Sequence, residues 1–202
     1  MTTDQRPVGR IEQSALYTAA ATVLLVLAVV ASWSDVLLVV LGHVILGWTV
    51  GAVLLSVALV LMRVIAVRHR STDGTAPAPR ARGPRVVRGL LAATAGLGSV
   101  LGAVPDLGSE YYVLRPEGPH GCTAVVREYS VLFLGYGEVY AVGASGVAWW
   151  PSLSGSWTAD DGYRPIAEGT YEMRWHQDGG VLSVSGDGVN GVMDGLHGVN
   201  CP

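Results

Sequence analysis

From Ala15 to Ala31 every residue is apolar or a small hydroxyl except Tyr17. A stretch of that length and character reads as a membrane-spanning helix, because a helix satisfies its own backbone polar groups in hydrocarbon. Trp33 follows where an interfacial aromatic sits. A second run, Val36 to Val67, holds only His43 and Arg63 among ionisable side chains. At about 1.5 Å per residue it exceeds a hydrocarbon core of roughly 30 Å, so its span is expected near Leu38 to Met62. The third run, Gly89 to Val104, is short and rich in Gly and Ala. Val86 and Val87 extend it across Arg88, whose guanidinium can snorkel to the headgroups. Three spans follow, at about 15–33, 38–62 and 86–104.

Charge orients them. Up to Val104 the chain has nine arginines against four acids, and beyond it four arginines against twelve acids. Arg6 and Arg10 precede the first span, and Arg68, Arg70, Arg80, Arg82, Arg85 and Arg88 lie between the second and third. The positive-inside rule puts residues 1–14 and the Arg/Pro linker 68–85 in the cytoplasm and residues 105–202 outside. The linker arginines also offer a contact for anionic headgroups. With half its residues apolar and only 14% charged, the chain is no disordered tail, collagen or nucleic-acid binder. The first run is longer than a signal-peptide core and lacks a small-residue cleavage site after it. The third, with its flanking arginines, allows a second reading as a mid-chain processing signal that would release the outer part.

The outer region has both cysteines, Cys122 and Cys201. In an oxidising compartment such a pair is expected to form a disulfide. Turn signals at Gly135–Gly137, Gly143–Gly146, Asp160–Gly162 and Gln177–Gly180 separate candidate strands 123–134, 138–142, 147–150, 156–159, 170–176 and 181–185. In the fifth, Tyr171, Met173 and Trp175 share one face, and a four-residue Gln-Asp-Gly-Gly loop joins it to the sixth. A small antiparallel sandwich or barrel is expected, with residues 186–202 as loop.

Candidate sites are few. His43 and Arg63 would be intramembrane ionisable groups, which are costly unless functional. Gly98 and Gly102 form a GxxxG pair suited to close helix packing, within the chain or in a helix-mediated oligomer. Trp149, Trp150, Trp157, Asp160, Asp161 and Tyr163 cluster aromatics with carboxylates, a combination able to stack on and hydrogen-bond a glycan. Adjacent acids before a glycine are equally a plain turn. His120 and His197 near the cysteines match no compact zinc spacing, and Asp187, Asn190 and Asp194 lack an EF-hand pattern. No nucleophile elbow, phosphate loop or metalloprotease helix is present, so no catalytic residue, metal or cofactor is expected.

The three helices, the arginine-rich inner loop and the strings GSWTADDGYRP and GTYEMRW resemble those of uncharacterised small membrane proteins of high-GC Gram-positive bacteria. That resemblance implies a plasma-membrane location and carries no functional residue. The expectation is a membrane protein with three transmembrane helices and a disulfide-closed antiparallel β domain outside. It would serve as a binding, sensing or assembly module with the bilayer and an envelope protein or glycan as partners. The alternatives are an envelope enzyme acting on glycans and an accessory subunit of a larger membrane complex.

Overall fold

The computed structural model describes residues 8–34, 36–72, 83–148 and 153–200. The chain divides into two compact units, one of residues 1–34 and 48–102, the other of residues 35–47 and 103–202.

The first unit is helical: α1 (Val8–Ser32), α2 (Gly47–Thr72) and α3 (Gly83–Asp106), the last turn of α3 belonging to the second unit. Its buried positions are mostly small, among them Ala21, Ala28, Gly51, Ala58, Ala95, Gly98 and Ser99, with Leu25 the large exception. Its large apolar side chains point outward, among them Leu16, Val23, Val30, Val53, Val60, Leu90 and Val100. A water-soluble bundle has the opposite arrangement, whereas small residues between helices and large ones outside suit hydrocarbon. The stretches Gly47–Val67 and Gly83–Asp106 are long and apolar enough to cross a membrane, and only 11% and 17% of their most apolar windows are buried. The described apolar part of α1, Leu16–Ser32, is shorter.

The second unit opens with a surprise for the expected second span. Residues 37–46 form a hairpin, β1 (Leu37–Val40) and β2 (His43–Leu46), and the helix begins only at Gly47. The expected span 38–62 therefore starts about nine residues too early. The cause is local and tertiary at once. Leu41 and Gly42 both adopt positive φ, as a two-residue hairpin turn requires. Leu37, Val39, Val44 and Leu46 fall on one face and pack against Val125, Val142 and Ala148.

The remaining strands are β3 (Glu110–Val113), β4 (Thr123–Val131), β5 (Leu134–Val142), β6 (Val147–Ala148), β7 (Leu153–Asp160), β8 (Tyr171–His176), β9 (Gly179–Val184), β10 (Val192–Met193) and β11 (Leu196–Val199). A one-turn helix, α4 (Pro165–Glu168), precedes β8. All pairings are antiparallel, in three sheets ordered β10-β7-β5-β4-β3, β2-β1-β6 and β11-β9-β8. The five-stranded sheet is the middle layer. One face, through Ala124, Val126, Val139, Ala141 and Trp157, packs on Leu182, Val184 and Val199 of the third sheet. The other, through Val125 and Val142, packs on the β1–β2 hairpin. The expected sandwich thus acquires a third layer, contributed by residues assigned from sequence to the membrane.

Three smaller differences share one origin. The turn expected at Gly135–Gly137 lies at Leu132–Phe133, and both glycines belong to β5. The β8–β9 loop is two residues, because Gly179 and Gly180 pair with His176 and Trp175. Residues 192–193 and 196–199 are strands within the stretch expected to be loop. Glycine reads as a turn in one dimension, yet within a strand it marks close approach of another group.

Candidate functional site

Of the residues expected to bind a glycan, Trp157 is turned into the core. Trp157 is 2% exposed. Its indole lies against Gly137, where a Cβ would come within 2.0 Å of the ring, and stacks on His197 at 5.4 Å between ring centroids. Gly155 in turn makes room for the imidazole, since a Cβ there would sit 2.2 Å from Nδ1. The indole Nε1 and imidazole Nε2 have no hydrogen-bond partner. Burial holds the His197 pKa below the ordinary imidazole value, with Asp194 opposing in part. The Trp157 ring is therefore spent in the core and offers no face to a sugar.

Asp160 ends β7 and begins a turn in which Asp161 and Gly162 have φ of 51° and 68° and the Tyr163 N–H donates to the Asp160 carbonyl at 2.9 Å. The Tyr163 hydroxyl lies 2.7 Å from Thr170 Oγ1. This is a braced turn. Trp149, Trp150 and Cys201 lie outside the described residues. Cys122 is buried and is not a free thiol. Among the described residues no group of three or more His, Cys, Asp or Glu side chains could hold a metal ion.

His43 is not intramembrane in the sense expected of a helical residue, for it begins β2, is exposed, and its Nδ1 lies 3.2 Å from the Leu41 carbonyl. Arg63 lies in α2 and is exposed. Gly98 and Gly102 do sit at helix contacts. A Cβ on Gly98 would fall 2.5 Å from Trp33 Nε1, and one on Gly102 2.7 Å from Trp48 Cβ. Trp33 Nε1 also donates to the Thr94 carbonyl at 3.2 Å.

Sequence reasoning missed two polar clusters on opposite faces of the middle sheet. Tyr111, Arg127 and Glu138 stand in cross-strand register on β3, β4 and β5. Arg127 reaches Asp106 and Glu138 at 3.3 Å each, Ser109 Oγ at 3.1 Å and the Pro105 carbonyl, and its guanidinium lies 4.8 Å over Tyr129, which stacks on Tyr136. The Tyr111 hydroxyl donates to Asp106 at 2.6 Å and that of Tyr140 to Glu138 at 2.7 Å. Burial, reinforced by those carboxylates, pushes both phenol pKa values up, so they stay neutral donors. The network satisfies a carbonyl at the C-terminus of α3 with a cation, the sign that end of a helix favours.

On the other face Glu128 is fully buried and accepts from the Ile166 and Ala167 N–H groups at 2.8 and 3.0 Å. Burial raises its pKa and the two N–H groups pull it partly back. Glu110 accepts from Arg164 at 2.6 Å and from Tyr112, whose pKa is pushed up to about 12 by burial and that carboxylate. Alternation of Arg127 and Tyr129 with Val126 and Glu128 was the available signal, but sequence alone does not say that both faces of a strand are covered. Both clusters fasten backbone and hold no nucleophile paired to a base.

The helical unit contains a cavity of about 580 Å³ with apolar walls from Ala21, Met62, Ile65 and Ala92 and two cations, Arg85 and Arg88. The Nε of Arg88 donates to Thr22 Oγ1 at 3.1 Å. Among the described residues its lining has no acid, a composition that suits an anionic headgroup with an acyl chain. The chain matches no protein-family model, no curated protein and no solved structure.

Proposed function

We propose that this chain is a three-span protein of the plasma membrane that carries a disulfide-closed β domain outside the cell and acts as a binding, sensing or assembly module of the envelope. One observation carries the topology. The hairpin 37–46 and residues 103–202 belong to one compact unit, with β1 paired to β6. The chain leaves that unit into α2 and re-enters it from α3, so the path between makes an even number of membrane crossings. α2 and α3 each have the length for one crossing, and the arginines between them favour the cytoplasm. α1 then brings the cytoplasmic N-terminus to the same outer side. The Cys122–Cys201 pairing completes the reading, since the buried Cys122 is not a free thiol and an outer location oxidises such pairs.

The choice of a module over an envelope enzyme rests on Trp157, whose burial takes its ring away from Asp160 and Asp161 as a partner in glycan chemistry. The deciding experiment uses intact cells. A membrane-impermeant maleimide should label Cys122 and Cys201 only after an impermeant reductant, and a C122A/C201A variant should stay dark. Thiols that react without reduction, and only after lysis, would overturn the outer location and the disulfide together.

A further inference from the structure

The β4–β5 turn is built against the rules for a soluble hairpin. Val131, Leu132, Phe133 and Leu134 are 52%, 90%, 77% and 40% exposed, an unbroken apolar run at the tip. Leu132 has φ of 56°, a conformation that favours glycine or asparagine. The tip is nevertheless held firmly. The Gly162 N–H donates to the Phe133 carbonyl at 2.9 Å, and Ser130 Oγ donates to the Gly162 carbonyl at 2.9 Å.

Register locates this tip within the domain. β3 starts at Glu110, paired with Glu128, and β4 continues three residues beyond that pair to Val131. The tip therefore lies at the end of the sheet where α3 delivers the chain into β3. Exposed Leu107 lies in that connection. Exposed Val189 lies in the loop leading to Gly191, whose carbonyl accepts from Asp160, the partner of Leu134. The other hairpin tip, Leu41, is 95% exposed but sits level with the Gly143–Gly146 loop, at the opposite end of β5.

We propose that the β4–β5 tip inserts into the outer leaflet of the bilayer that α3 crosses, with Leu132 and Phe133 as the inserted side chains and Leu107 beside them. The inference rests on the membrane reading given above. The bilayer is the occupant because the apolar end of the domain is the end joined to a helix of membrane-spanning length, and lipid contacts all of these side chains without a shape-matched partner. Asp160, Asp161 and Asp187 at the same end disfavour an anionic surface, so the contact is to acyl chains, not to charge.

The test uses the full chain reconstituted in phosphatidylcholine vesicles containing a phosphatidylcholine with a diazirine on its acyl chain. After photolysis, mass spectrometry of peptides locates the adducts. Adducts are expected on outward positions of α2 and α3, such as Val60 and Val100, and on residues 131–134, with none at Leu41. A double variant L132S/F133S should lose hairpin adducts several-fold while the helix adducts stay constant. Helix adducts without any at 131–134, or equal labelling at Leu41, overturn the tip insertion and leave the membrane reading standing. Absence of adducts on the helices as well overturns the membrane reading itself.

Discussion

Glycines beside rings carry the tightest packing in the β domain. Gly137→Ala would drive a methyl into the Trp157 indole at 2.0 Å, and since overpacking a core costs about 1–3 kcal/mol or more, the variant should unfold at clearly lower denaturant, read by tryptophan fluorescence. His197, stacked on that indole, adds a pH dependence. Its folded pKa lies below the ordinary 6.5, so below that value the unfolded state binds more protons than the native state. The stabilisation is thus complete above pH 6.5 and is lost as pH falls from there through the folded pKa. Thermal melts between about pH 7.5 and 5.5 should show a loss for the wild type that H197F largely abolishes. Glu128→Ala leaves two N–H groups at the start of α4 without their acceptor, and the expected cost is about 2–4 kcal/mol by chemical denaturation. None of the three roles was readable from sequence. In sequence Trp157 reads as exposed chemistry, because aromatic and acid neighbours in a line say nothing about which face is covered.

Elements were legible where their signal is one-dimensional. The half-buried face of Tyr171, Met173 and Trp175 on β8 follows its alternation, and the end of β7 follows the Asp160–Gly162 turn. The β1–β2 hairpin was not legible, because Leu-Leu-Val-Val-Leu-Gly-His-Val-Ile-Leu serves a hydrocarbon helix and a pair of apolar strands equally well. Its register is decided by partners more than a hundred residues away in the chain. Among the helices the glycine signal was informative in kind. Gly98→Leu would push into Trp33 and Ser32, and Gly102→Leu into Trp48, so either variant should lower the melting temperature of the detergent-solubilised chain. Gly89→Leu is the control, since a Cβ there meets nothing within 4 Å.

At the scale of the molecule, the apolar runs announced two helices long and apolar enough to cross a membrane, but the ligand or partner was not legible because function leaves no motif in a chain of turns and fasteners. The proposed cysteine pairing sets one global expectation. A bridge from Cys122 to Cys201 closes a loop of about 80 residues, worth roughly 4–5 kcal/mol in the chain-entropy model, so reductant should lower the denaturation midpoint of the β domain and slow its migration on a non-reducing gel. The hairpin between α1 and α2 imposes an order on biogenesis. In the proposed topology it leaves the ribosome and crosses to the far side well before Val125, Val142 and Ala148 exist to receive it, and two strands alone are marginal in water. In that topology it must wait, tethered between two helices, until residues 103–148 are exported as well. Residues 103–202 expressed alone would lack this layer, leave Val125 and Val142 open to solvent, and need residues 36–47 supplied in trans or by grafting to become a well-behaved soluble domain.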